Sequence, residues 1–296
     1  MKIKVAILGA SGVLGRNLIT GFQRAGRNVR ALVRNPDKVQ DLLEKGSEAL
    51  TVNLLTIPRS LLVEYLKGCD VVIHAATAIP PYGKDSRAWE LNNRLRTEGT
   101  EKLIETAWRA GVSLYLQQST VTAYIDGGDK WQDESASYDI MPSRVVETLA
   151  VADMERRVRE IPRKLMRWGI LRLGLFVGAG TPQDLLVERL YEGSEEISGD
   201  GNHFISPVHV EDAAEAFVRA TQTDFGIKIL NIVDEPLRYG DYVDGLADLL
   251  EVSRPRRNLV LPKPSSHRCS NEAAGRELDW APKRDLYPLA FSPVGF

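Results

Sequence analysis

One stretch near the start limits this chain more than any other: Ile7-Leu8-Gly9-Ala10-Ser11-Gly12-Val13-Leu14-Gly15. Three glycines in seven positions follow directly on the apolar run 3–8, where a strand would tighten into a helix. A glycine-rich turn leaving a first strand lets the backbone approach a pyrophosphate, whose charge then meets the N-terminus of the following helix. A lone glycine motif is weak evidence, but one that follows a strand and opens a helix within a βαβ unit has the confirming context. The alternative phosphate loop is excluded, because Gly15 is followed by Arg16 and Asn17 and not by Lys-Ser/Thr.

The rest of the first half continues the alternation. Short β-branched runs at 3–8, 28–33, 48–52, 70–75 and 113–118 predict buried strands, and 12–25, 36–45, 58–67 and 86–110 predict helices between them. Such regular alternation implies right-handed βαβ units and a Rossmann-type, doubly wound parallel sheet in an α/β protein. A further helix is expected from Ser143 to about Glu160 and a strand over 165–173. After Gly174 the pattern loosens, with helices at 184–192, from near Asp212 and from Tyr239 to Glu251, and a strand at 228–233. The expected division is a dinucleotide-binding domain at 1–174 and, at 175–296, mainly a small C-terminal substrate lobe with some elements returning to the sheet. The cleft between them is the natural ligand site.

Composition narrows the partners. With 296 residues, 43% hydrophobic, 26% charged and a net charge of −2, the chain lacks the basic excess of a general nucleic-acid or membrane-surface binder. No apolar run reaches the length of a membrane span, so a cytoplasmic protein acting on a small molecule, without nucleic acid or membrane and as monomer or homodimer, is the expectation. Cys69 and Cys269 stand far apart, and the four histidines show no metal-ligand spacing, so no metal is expected. At the end of the second strand, Leu32-Val33-Arg34-Asn35-Pro36 places Arg34 where a dinucleotide fold reads the adenosine ribose. A guanidinium there suits a 2′-phosphate, favouring NADP(H) over the alternative NAD(H).

On these residues the chain resembles the extended, atypical short-chain dehydrogenase/reductase superfamily, in its NAD-dependent epimerase/dehydratase-like group. GASGVLG resembles the GxxGxxG loop, GCDVVIHAAT the fourth strand and RTEGTEKLIETAWRAGV the long helix before the fifth. LRLGLFVGAGT, GDGNHFISPVHVEDAAEAF, ILNIVDEP and SNEAAGRELDWAPK resemble later landmarks in the right order. The resemblance implies that Gly9, Ser11, Gly12, Val13, Leu14, Gly15, Arg34, Asn53, Leu54, His74, Ala75, Ala76 and Thr77 line the cofactor. Ser119 matches the family's serine that holds the substrate oxygen.

The chain also departs from the pattern. The third-strand acid of many relatives is Asn53 here, and the Tyr-x-x-x-Lys pair falls on Glu147 and Val151 in a helix with neither tyrosine nor lysine. A phenol of pKa ~10 needs a neighbouring cation to transfer a proton near neutral pH. Tyr124 is the first candidate to replace it, followed by Tyr138 and then Glu147. Leu175 stands where relatives that handle nucleotide sugars carry an asparagine, which points to a smaller or more apolar substrate. Asp212 reads as a helix cap, and the basic run 254–257 as a solvated loop. The expected function is an NADP(H)-dependent oxidoreductase or epimerase-like enzyme acting on a small carbonyl, alcohol or enone with a non-standard proton donor. The alternative is a catalytically silent NADP(H)-binding regulatory or assembly protein.

Overall fold

The computed structural model describes residues 3–80, 88–141, 145–223 and 226–287. Seven strands form its main sheet: β1 (Lys4–Leu8), β2 (Asn28–Val33), β3 (Glu48–Thr51), β4 (Val71–His74), β5 (Leu114–Thr120), β6 (Arg167–Leu173) and β7 (Lys228–Ile232). Their order is β7-β6-β5-β4-β1-β2-β3, and every pairing is parallel. The helices are α1 (Val13–Arg24), α2 (Arg59–Leu66), α3 (Glu90–Arg94), α4 (Thr100–Arg109), α5 (Val145–Arg159), α6 (Pro182–Glu192), α7 (Val210–Ala220), α8 (Tyr239–Leu249) and α9 (Glu272–Leu278). The chain leaves β1 towards one edge of the sheet and returns through β4 on its other side. A crevice therefore opens at the carboxyl ends of β1 and β4, where α/β sheets bind ligands.

The strands read as continuous apolar runs because both faces of the sheet are covered. On one face, α1 and α7 bring Leu18, Ile19, Phe22, Ala213 and Phe217 against Val5, Ile7 and Val29. On the other, α2, α4 and α5 bring Leu62, Leu66, Leu103, Ala107 and Val158 against Ala6, Leu8, Val72 and Tyr115. Burying each of these larger side chains stabilises the fold by roughly 1.5–3 kcal/mol before entropy is counted. The second part of the chain also reaches the sheet, because β7 pairs with β6 and α7 packs on α1. A separate apolar cluster forms around Leu186, Leu190, Tyr242, Val243 and Leu246.

Three local expectations change. Residues 36–45 form two 3₁₀ turns, Pro36–Lys38 and Gln40–Leu42, in place of one helix. Side chains of α1 explain this, since Arg16 donates to the Lys38 carbonyl while Gln23 donates to the Leu42 carbonyl and accepts from Glu44 N–H. The backbone is thus satisfied without a helix of its own. Within the basic run, Arg256–Asn258 is a strand that pairs with Glu196–Ser198, and Arg254, Arg256 and Arg257 pair with Asp248, Glu196 and Asp244. His209, not Asp212, caps α7, its Nδ1 accepting from Glu211 N–H at 3.3 Å. Asp212 is instead buried and accepts the backbone N–H groups of Lys283 and Arg284. The expected helix starts at 86 and Ser143 lie outside the described residues.

Candidate active site

The glycine loop is built by close approach. Gly9 has φ +84°, and a Cβ there would lie 2.6 Å from the Ala76 backbone, so β1 and the end of β4 meet in direct contact. At Gly15 a Cβ would lie 2.2 Å from the Gly9 carbonyl oxygen, which seats the first turn of α1 on the loop itself. Gly12 differs, for a Cβ there would meet only the Gly9 oxygen at 3.4 Å, an ordinary contact. Packing alone does not require glycine at that position. An exposed glycine with room above it is what a backbone needs when something outside the protein must touch it. Gly12 is also the N-cap of α1, makes no side-chain cap bond and has no acid in the turn behind it. The first N–H groups of that helix have no intrahelical partner and carry a partial positive charge.

The other residues matched to a cofactor surround this loop unevenly. Arg34 is exposed at the end of β2 and makes no hydrogen bond or ion pair with the described residues. Ala75, Ala76 and Thr77 follow β4 beside Gly9, and the Ala78 N–H behind them is fixed by buried Asn92 at 3.0 Å. Asn53 is exposed, its side chain accepting from Leu55 N–H. Leu14 and Leu54 are buried, Leu14 in the α1 core and Leu54 beneath Gly99. His74 also turns inward. Its Nδ1 lies 3.1 Å from Gln117 Oε1 and 3.2 Å from Thr100 Oγ1, between sheet and helix, and burial pushes its pKa down to about 4. Its ring is therefore a neutral packing group, and only its backbone borders the crevice.

Beside the loop, at the carboxyl ends of β5 and β6, lies a cavity of about 300 Å³. Ser119, Thr120, Gly174 and Phe176 form one side, and Glu147, Thr148 and Val151 of α5 form another. Arg96 closes it from a π-type turn, Leu95–Gly99, which joins α3 to α4 and packs against α5. Such turns shift the helical register locally and are frequent at functional sites.

Behind Ser119 runs a buried polar network. The Ser119 hydroxyl donates to Glu155 Oε1 at 2.6 Å, and Glu155 also accepts from Arg172 Nε at 2.9 Å, Arg172 Nη2 at 2.7 Å, Arg159 and the Tyr138 hydroxyl. Burial alone would raise the Glu155 carboxyl, but Arg172, together with the Ser119 and Tyr138 hydroxyls, outweighs it and holds the group below its usual range. Tyr138 is pushed up to about 12, first by burial and then by the Glu155 charge.

Tyr124 belongs to the same network. Its side chain is fully enclosed, its hydroxyl donates to Asn231 Oδ1 and accepts from Arg172 Nη1, both at 2.7 Å, and burial pushes its pKa upward. Tyr124 is not among the residues lining the cavity, so the first proton-donor candidate from the sequence sits behind the site and not in it. Glu147, the last candidate, does line it. Thr120 follows Ser119 directly at the end of β5. It faces the same cavity, with its hydroxyl 2.9 Å from that of Thr122. Arg96 had no sequence signal, because an arginine in an amphipathic helix reads as a solvated one.

A parallel sheet with a glycine cradle at its switch point, and beside it a largely apolar cavity carrying a few polar side chains, defines a dinucleotide-dependent enzyme fold. Within that class, the chain belongs to the NAD dependent epimerase/dehydratase family, which matches residues 5–232. A nicotinamide dinucleotide is accordingly the cofactor class of the chain, which is an NAD(P)-dependent oxidoreductase or epimerase. It is 28% identical over 261 residues to a 3-diazoavenalumate denitrifying reductase from a Streptomyces species, covering 86% of this chain and 84% of the relative. It is 25% identical over 241 residues to a 4-hydroxy-2-methyl-3-oxo-4-farnesyl-3,4-dihydroquinoline-1-oxide ketoreductase from Stigmatella aurantiaca, covering 78% and 68%. Among solved structures, the dTDP-glucose 4,6-dehydratase DesIV of Streptomyces venezuelae, with NAD bound, superposes with a TM-score of 0.83 at 18% identity, covering 96% of this chain and 93% of that one. UDP-glucuronic acid 4-epimerase from Bacillus cereus, also with NAD, gives 0.81 at 18% identity, covering 96% and 95%.

Proposed function

We propose that this protein is an NADP(H)-dependent oxidoreductase or epimerase-like enzyme for a small carbonyl, alcohol or enone substrate, with a proton donor other than a Tyr/Lys pair. The observation that carries the NADP(H) reading is Arg34, exposed at the end of β2 without a partner among the described residues. A guanidinium held in that position pairs well with a 2′-phosphate. The open space above Gly12 and the uncapped start of α1 support a pyrophosphate in the crevice between them. Two relatives named as reductases favour hydride chemistry.

A nicotinamide bound along this crevice supplies or accepts the hydride. The chain's own part is to hold the substrate oxygen and exchange a proton. Thr120 holds the oxygen from the end of β5, beside Ser119. The Ser119 hydroxyl proton already goes to Glu155, so Ser119 positions while Thr120 has the freer hydroxyl. Glu147 exchanges the proton from α5. Tyr124 and Tyr138 act one layer back, by fixing Arg172 and Glu155. In this reading the site lies between the 1–174 and 175–296 parts, since Leu175, Phe176 and Pro182 complete its wall.

Fluorescence titration with NADPH and NADH, followed by turnover on a panel of carbonyls and enones, tests the proposal. NADPH is expected to bind at least about ten-fold tighter, and Arg34→Ala to remove that margin of about 1.4 kcal/mol without weakening NADH. Preference for NADH would refute the Arg34 assignment. Tight NADPH binding without turnover on any panel member would favour the regulatory alternative.

A further inference from the structure

Arg96 poses a problem that the proposed reaction does not use. The residue is only 8% exposed, yet among the described residues its side chain makes no hydrogen bond and no ion pair, and its Nε is buried without a partner. Enclosing a guanidinium without bonded partners costs several kcal/mol, and proteins retain such groups where they have a use. Two carboxylates act on it through space, Glu155 and Glu147, but neither lies within ion-pair distance. Glu155 is already occupied by Arg172, Arg159, Tyr138 and Ser119. Burial lowers the Arg96 pKa only to about 10, so the group remains a cation at neutral pH.

We propose that the cavity takes a substrate with a carboxylate on an apolar body, and that Arg96 is the residue that reads the carboxylate. This rests on reading the cavity as the substrate site. The planar fork of a guanidinium matches a carboxylate with two parallel hydrogen bonds, which supplies the partners Arg96 lacks. The remaining wall fits the rest of such a molecule, because Ile79, Val151, Leu173, Leu175, Phe176 and Pro182 are apolar. A volume of about 300 Å³ suits a compact ligand. A single cation with Glu147 beside it also favours one negative charge over the two or more of a phosphate ester. Gln118 adds an acceptor, since its Oε1 is buried without a partner at the same wall and is ready for a substrate hydroxyl or N–H.

The test compares isosteric pairs that differ in charge, trans-cinnamate against trans-cinnamamide and hexanoate against hexanamide, titrated with and without saturating NADPH. The wild-type protein is expected to bind the carboxylates at least ten-fold tighter than the amides. Arg96→Met should abolish the preference, Arg96→Lys should retain part of it, and NADPH affinity should stay within two-fold in both variants. Equal affinity within each wild-type pair, no saturable binding of either carboxylate, or a preference that survives in Arg96→Met would each overturn the assignment. The wild-type comparison holds even if one variant misfolds. Carboxylate preference without NADPH binding would sink the cofactor reading alone, and NADPH binding without carboxylate preference would sink this inference alone.

Discussion

The glycine cradle and the cavity beside it occupy neighbouring strand ends of one sheet, yet they are made by different means. The cradle is backbone: Gly9 and Gly15 let main chain touch main chain, and its groups for an anion are the N–H groups that any helix start exposes. The cavity is made of side chains: Ser119 from β5, Glu147 from α5 and Arg96 from a π-type turn, supported by Arg172 from β6 and Asn231 from β7. A backbone site depends on a short local motif. A side-chain site depends on elements up to about a hundred residues apart, such as Tyr124 and Asn231, and it can be rewritten while the cradle stays unchanged. A chain can therefore keep the family's loop and change its chemistry.

The largest effect should come from cutting the support of the cavity. Glu155→Gln leaves the Arg172 guanidinium buried with its main partner neutralised, and loss of one partner from such a pair costs about 3–5 kcal/mol. Chemical denaturation at neutral pH reads this loss. The pH dependence follows from the lowered Glu155 pKa. The stabilisation is fully present above the ordinary carboxylate value of ~4.3 and is lost as pH falls through the lower folded-state value. The variant should lack that acid-side decline, and equal stability of both proteins at neutral pH would contradict the network.

The cradle is tested next by two glycines that differ only in packing. Gly15→Ala puts a methyl into the Gly9 carbonyl and is expected to lower both stability and NADPH affinity, by about 2–3 kcal/mol in stability. Gly12→Ala should cost less than about 1 kcal/mol in stability, since that methyl clears the protein, while weakening NADPH at least ten-fold. If Gly12→Ala binds NADPH normally, the space above Gly12 is not where the pyrophosphate lies. Within the cavity, Glu147→Gln is expected to lower kcat about 10²-fold with little change in thermal stability. The smallest effect on turnover is expected from Tyr124→Phe, which should cost about 1–2 kcal/mol of stability for one buried hydrogen-bond set. Its kcat should fall far less than that of Glu147→Gln, and the reverse ranking would return Tyr124 to the chemistry.

Sequence by itself determined the parallel sheet and the glycine turn, because strand period, helix period and glycine spacing are local and each maps onto one backbone geometry. It also placed Arg34 at the end of β2 and Ser119 at the end of β5, since a residue's position along a strand follows from where the strand stops. Tertiary structure alone decided which side chains share the cavity. In the sequence Tyr124 ranks first among the proton-donor candidates and Glu147 third. The fold turned Tyr124 into a sealed partner of Arg172 and left Glu147 at the cavity wall. Arg96 gave no sign in the sequence because its burial depends on a π-type turn packed against α5, and neither register shifts nor helix contacts are written in hydrophobic periodicity. Burial, and with it the cost of an unpaired charge, belongs to the packed molecule.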